Sequence, residues 1–594
     1  MLTLATTMVT VGSSQRVAEL IEFSFAELTE PPSELVHRVL GSVDLNIVRG
    51  NPFAPDRPFD CSREPTVGHA MPDSFCPTLR RGGRGPARAG HRAFGADMAS
   101  SYDLFLYSNS QAMDGTYTDV ELVLPGSQVI KYTRTSSGTG YSNAVFQTTQ
   151  TPSEFYGSTI AWVGGWDLTM KDGTVLHFGD SAPLQSITDR FGNRISITRN
   201  GAGNITEISS TSGRWVSFTY NGDSPPHVSQ IQDNSGRVVK YAYTTATANG
   251  QVLTQLHTAT TFADPVNRPN GETTTYNWQD PNTPTGITSI VDPRNITFIT
   301  DKYDSSGRVQ TQTLANGGVY QFNYTTDANG NITQTDITYP RTDARNPSTI
   351  VRRVAFNSDH YPVSDIRGLG SQEQQTTTYT HQPTSDLVTD VVDQLGRDTH
   401  YDYNQMANVK AVTLLYGTPN ASTTSFSYEP IYNRPTSVQA PMSRTTTFAW
   451  DDDARSVTIT DPRGVVQTVF LNRAGDPKLV QDGLGNQTQF GYDLGDLTSM
   501  IDALGRTTSI FVDSAGREAA VTDPLGHRTI WSYDNLDRVT KVTDPLGGVT
   551  SLSYGTVLSG IAWERVTYFA LFLVHGSVAT GLFIRWRRSK RTGL

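Results

Sequence analysis

The sequence predicts an all-β protein, a long curved or spiralling antiparallel sheet built from tandem β-hairpins about 21 residues long. Three observations predict it. The composition favours turns and strands, a glycine-ended turn recurs at nearly constant spacing, and the residues after each turn alternate with a period of two.

The composition comes first. The chain has 594 residues, too many for one ordinary compact domain, so several domains or one repeat array are the starting choices. Apolar residues make up 36% and charged residues 18%, both below the usual globular share. The difference lies in 51 Gly, 31 Pro and 25 Tyr, which suit many short strands joined by many turns. The aromatic and β-branched content excludes simple disorder.

The turns come next. In the C-terminal third the motif appears as Asp461-Pro-Arg-Gly464, Asp482-Gly-Leu-Gly485, Asp502-Ala-Leu-Gly505, Asp523-Pro524-Leu-Gly526 and Asp544-Pro-Leu-Gly547. The successive aspartates stand 21, 20, 21 and 21 residues apart. Asp at the first position accepts backbone N–H groups ahead of it, Pro at the second fixes φ, and Gly at the fourth suits a type I turn. Local geometry therefore explains these aspartates without catalysis.

The strands follow from alternation. Six, eight and ten residues beyond each Asp stand Gln467/Val469/Leu471, Thr488/Phe490/Tyr492, Thr508/Ile510/Val512, Thr529/Trp531/Tyr533 and Thr550/Leu552/Tyr554. A period of two places each set on one strand face. Two residues before each Asp another apolar side chain marks the return strand: Ile459, Val480, Met500, Val521 and Val542. Between the strands lies a second turn, cleanest as Tyr303-Asp304-Ser-Ser-Gly307-Arg308 and varied as Val512-Asp513-Ser-Ala-Gly516-Arg517 and Tyr533-Asp534-Asn-Leu-Asp537-Arg538. The same register reaches upstream to Asp393, Asp233 and Asp189, with a looser stretch over 245–390. One hairpin alone is marginal in water, so the units must stack, and a long twisted sheet must curl or close to hide its inner face.

These turns and their period resemble the RHS/YD-repeat family, which includes bacterial RHS toxins, wall-associated proteins and the YD shell of teneurins. The resemblance covers about residues 115–555, and Trp166 to Gly173 with Asp189 to Asn193 looks like its entry. It implies a hollow β shell that holds a protein cargo before delivery or acts at surfaces. Delivery-type members end the shell in a cleavage segment. Asp544 to Gly548 is an ordinary repeat turn, so no cleavage role is carried onto it, and the resemblance implies a truncated or rearranged member.

The domain boundaries follow. Residues 1–114 are an unassigned N-terminal region with a Pro/Arg/Gly-rich stretch, 115–558 the repeat region, and 559–594 an apolar tail. Val566 to Ile584 carries only His575 as a chargeable residue, and Arg585, Arg587, Arg588, Lys590 and Arg591 follow. As a helix it is about 28 Å long, close to the bilayer core. It predicts a membrane span over 566–584 with a cytoplasmic C-terminus and the repeats at the cell surface. An apolar terminal helix is the bland alternative. Met1 to Leu20 lacks the features of a signal peptide.

Other chemistries are disfavoured. A formal charge of −10 argues against a nucleic-acid partner, and the one basic cluster, Arg80 to Arg92, reads as a flexible stretch. Cys61 and Cys76 are too few for a disulfide framework, and no ligand set for a metal or cofactor is clustered. No G-x-S-x-G, Walker A, H-E-x-x-H or G-x-G-x-x-G motif occurs. One Asp in every unit is not how a single hydrolytic site is built. The expectation is a non-enzymatic scaffold, membrane-associated at the cell surface or secreted. A carbohydrate-binding or sugar-active β protein and a non-functional remnant are the alternatives, and substitution of single repeat aspartates separates scaffold from enzyme.

Overall fold

The computed structural model describes residues 93–554 apart from short stretches, the longest being 109–116 and 341–349. The expected apolar helix at 566–584, Cys61, Cys76 and the arginines between 80 and 92 all lie outside the described residues. Among the described residues no helix is long and apolar enough to cross a membrane.

The described chain is all β. Thirty-nine strands, from β1 (Phe105–Ser108) to β39 (Val549–Ser551), form one sheet in which every strand pairs antiparallel with the next in sequence. In the C-terminal repeats the predicted strands are β31 (Val466–Leu471) to β39, and the register is the one the alternation implies. Val469 pairs with Val480 and Val480 with Thr488, Phe490 pairs with Met500 and Met500 with Thr508, and Trp531 pairs with Val542 and Val542 with Thr550. Val469 and Trp531 are buried, whereas Phe511 and Ile530, on the opposite face, are exposed. The inner row ends short of the predicted span, because Gln467 and Thr550 at its rim are exposed.

The hairpins closed by the Tyr-Asp turns also carry a β-bulge at the Tyr position. The register shifts between Lys302 and Tyr303, Gly491 and Tyr492, Phe511 and Val512, and Ser532 and Tyr533. An extra residue at the same edge of successive repeats bends and twists the sheet in one sense, which coils the wall instead of extending it flat. Most of the fully buried core lies early in the chain. Phe105 bridges Pro183, so β1 meets the start of β8 (Leu184–Thr188), and Phe94, Tyr132, Phe146, Phe178 and Tyr241 fill one continuous cluster with the strands that follow. Later strands keep only small clusters, one of them around Val457, Ile459 and Val469.

Candidate functional site: the turns and the seam between windings

Both turns of the repeat are the same structure. In Asp461-Pro-Arg-Gly464 the Asp461 carboxylate accepts the N–H of Arg463 at 2.8 Å and of Val465 at 2.9 Å, while Gly464 N–H donates to the Asp461 carbonyl at 2.9 Å. In Tyr303-Asp304-Ser-Ser-Gly307-Arg308 the same bonds run from Ser306, Arg308 and Gly307 to Asp304. The fourth residue is left-handed: φ is 81° at Gly464, 85° at Gly526 and 77° at Gly307. Sequence reasoning expected a plain type I turn. The left-handed fourth residue adds a bulge of the kind that closes longer hairpin loops, which explains the glycine more strictly.

The predicted turn residues Asp461, Asp482, Asp502, Asp523, Asp534 and Asp544 all hold this geometry, with Gly485, Gly505 and Gly547 left-handed as well. Where the fourth residue is not glycine the backbone still complies, at φ 57° in Ala407 and 61° in Asp537. For alanine that conformation costs about 1 kcal/mol. Ala407→Gly is therefore expected to stabilise the protein by up to about 1 kcal/mol, read as a raised denaturant midpoint.

At most of these turns the second carboxylate oxygen of the Asp binds the side chain two or four residues on. Arg463, Arg506, Arg517 and Arg538 reach Asp461, Asp502, Asp513 and Asp534 at 2.6 to 2.9 Å. Sequence reading missed what the arginine of the Tyr-Asp turn does next. Arg308 lies over the ring of Tyr324 at 4.9 Å, Arg517 over Tyr533 at 4.8 Å and Arg538 over Tyr554 at 4.7 Å. Each tyrosine hydroxyl donates back to a strand opening in the preceding repeat: Tyr324 to the Val309 carbonyl at 2.7 Å, Tyr533 to Glu518 at 2.7 Å and Tyr554 to Val539 at 2.7 Å. Tyr303 and Tyr492 make the same bond, to Ile287 and Pro477. Asp, Arg and Tyr thus latch one repeat to the next, adding a hydrogen bond and a cation–π contact to the strand ladder. The constant spacing from each Arg to the next Tyr was the available signal.

Side-chain donors hold the turn carboxyls below their ordinary range: Arg463 at Asp461, Asn486 at Asp482 and Arg506 at Asp502, each with backbone N–H groups. Their contribution is complete above pH about 4 and disappears as pH falls through the lowered values. Asp103 and Asp301 act oppositely. Burial pushes both up to about 7, so the folded state loses ground between pH about 4 and 7 as the unfolded chain ionises first. Melting temperature is therefore expected to peak at mildly acidic pH. Asp301→Asn should lessen the loss on the neutral side, part of which Asp103 still causes, and leave the acid side unchanged.

The two turns lie on opposite edges of the wall, and the edges meet. Asn193 donates to the Ala474 carbonyl at 2.7 Å across 281 residues, and Asn234 to Ser514 at 2.9 Å across 280. Arg214 pairs with Asp496, and Arg237 with Asp537, which also holds Arg517. Tyr432 packs where a side chain on Gly173 would stand, and Phe191 does the same at Gly475. Every contact joins an Asp-Pro-Leu-Gly-type edge of the first winding to a Tyr-Asp-type edge of the second. The wall therefore coils upon itself, and its seam explains why Asp537 replaces glycine despite the backbone cost: its carboxylate ties Arg237 to Arg517.

Among the described residues no group of three or more His, Cys, Asp or Glu is placed to hold a metal. The cavity lined by Phe94, Asp103, Arg199, Phe218 and Tyr220 is small.

Residues 512–549 match the family described as RHS Repeat. No curated protein matches the chain. Among solved structures, the chain is similar to the Tc holotoxin pore of Photorhabdus luminescens, at 11% identity and TM-score 0.33, over 72% of this chain and 23% of that one. It is also similar to the TcdB2-TccC3 complex, at 10% identity and TM-score 0.32, over 75% of this chain and 27% of that one. A porin-like protein from Bacteroides uniformis matches at 14% identity and TM-score 0.15, over 36% of this chain and 95% of that one. The chain spans about a quarter of the length of the toxin structures. The segment that matches the RHS Repeat family lies within an array of hairpins latched by the same aspartate, arginine and tyrosine.

Proposed function

We propose that this chain is a non-enzymatic wall that encloses polypeptide cargo at or beyond the cell surface. The observation that carries the reading is the seam. A sheet whose second winding docks on its first presents the inner faces of both to one interior. The turn carboxylates support it, since they are engaged in holding backbone and arginine rather than converging on a substrate. The matched RHS repeat supports a scaffold of this kind.

The test inserts a protease-sensitive reporter domain after Leu558 of the full chain, between the repeats and the apolar segment and so on the same side of the membrane as the wall. Enclosure predicts a trypsin half-life for the reporter lengthened at least about tenfold over the free domain. Equal rates would overturn the reading. The same proposal assigns 566–584 to membrane attachment, so alkaline carbonate should fail to extract the chain from membranes.

A further inference from the structure

The Asp-Pro-Leu-Gly edge of the second winding has no covering winding among the described residues. Five of its turns carry at the third position a leucine that is largely exposed: Leu395 is 69% exposed, Leu484 89%, Leu504 76%, Leu525 80% and Leu546 96%. Exposed leucine repeated along one edge is unusual for a soluble surface, which seldom concentrates large apolar side chains. Turn formation does not require it, because Ser235 and Arg463 occupy the same position in sister turns.

The first winding shows what that position does. Phe191, third in Asp189-Arg-Phe-Gly192, fills the space beside Gly475 in the turn Asn472-Arg-Ala-Gly475. Asn193, directly after the same first-winding turn, donates to Ala474. The equivalent acceptor on the first winding is Asn200-Gly-Ala-Gly203. The Asn200 carbonyl oxygen of its side chain accepts the N–H of Ala202 and Asn204 at 3.0 Å, as Asn472 accepts Ala474 and Asp476. Asn200, Gly201 and Ala202 are exposed, and nothing stands within 4 Å of where a side chain on Gly203 would be.

We infer that the leucine edge is an interface for a second copy of this chain, stacked head to tail so that the second winding of one copy seats on the Asn200–Gly203 edge of the next. The contact would continue the seam already present within the chain, with leucine in the role of Phe191. Such an interface is heterologous and therefore open-ended.

Sedimentation velocity on the full chain, between about 1 and 100 µM, tests it. The wild type should show concentration-dependent growth beyond a dimer. L504E/L525E blocks one edge and A202E the other, each at an exposed turn position that leaves the fold intact by circular dichroism. Each variant alone should be monomeric, and an equimolar mixture should form a dimer and nothing larger, because one competent edge of each kind remains. A wild type that stays monomeric at the highest concentration overturns the inference. So does association that both variants retain, which would assign self-assembly to another surface.

Discussion

Asp496→Ala is expected to destabilise the second winding by about 3–5 kcal/mol, because it strands the guanidinium of Arg214 in the seam. The two side chains are only 9% and 8% exposed, and two further nitrogens of Arg214 have no hydrogen-bond partner. The remaining cation is left buried without a counter-ion. Unfolding of a repeat array need not be two-state, so the loss should be read locally. Hydrogen exchange should accelerate in β33 (Gln487–Asp493) and β34 (Asp496–Ile501) and in the facing turn before β11 (Trp215–Tyr220), while β1 keeps its protection. Replacing both partners with leucine should recover much of the loss, since the desolvation of both charges is removed together.

Asp534→Ala and Asp502→Ala make the second comparison. The turns are geometrically identical, each Asp accepting two backbone N–H groups and one arginine Nε. Their surroundings differ. Asp534 and Arg538 are 8% and 3% exposed, against 32% and 61% for Asp502 and Arg506. Asp534→Ala leaves a buried arginine unpaired beneath the Tyr554 ring, costing about 3–5 kcal/mol. Asp502→Ala leaves its arginine in water, so its midpoint should move by a small fraction of that. Equal denaturant midpoints for the two variants would mean that the two edges are not differently buried.

Much of this architecture was legible in the sequence, for a physical reason. A hairpin is a local object: Asp, Gly and the residues alternating between turns lie within 21 positions of one another, so Asp461 to Tyr554 could be phased by inspection. The hidden part is non-local. Nothing in Phe191 names Gly475, and nothing in Arg214 names Asp496, because their encounter depends on how much curvature each bulge contributes over some 280 residues. The arginine of the Tyr-Asp turn lies between these cases. Its partner Tyr is one repeat away and was visible at constant spacing, yet within one motif copy it reads only as the residue that closes a turn. The aspartates at the turns and at the seam look alike in sequence, and burial alone separates Asp534 from Asp502.

The coiling of the wall is the claim on which the seam, the enclosed interior and the stacking edge all depend. Asn234 and Ser514 test it directly, because they touch at 2.9 Å although they follow β12 (Val228–Asp233) and β35 (Thr507–Val512). Spin labels at these two positions, with Cys61 and Cys76 replaced, should give a narrow distance distribution by double electron–electron resonance, centred below about 25 Å. A wall that stays open would separate them by 23 strand spacings of about 4.8 Å, roughly 110 Å. A distance in that range, or none measurable, would contradict the coil.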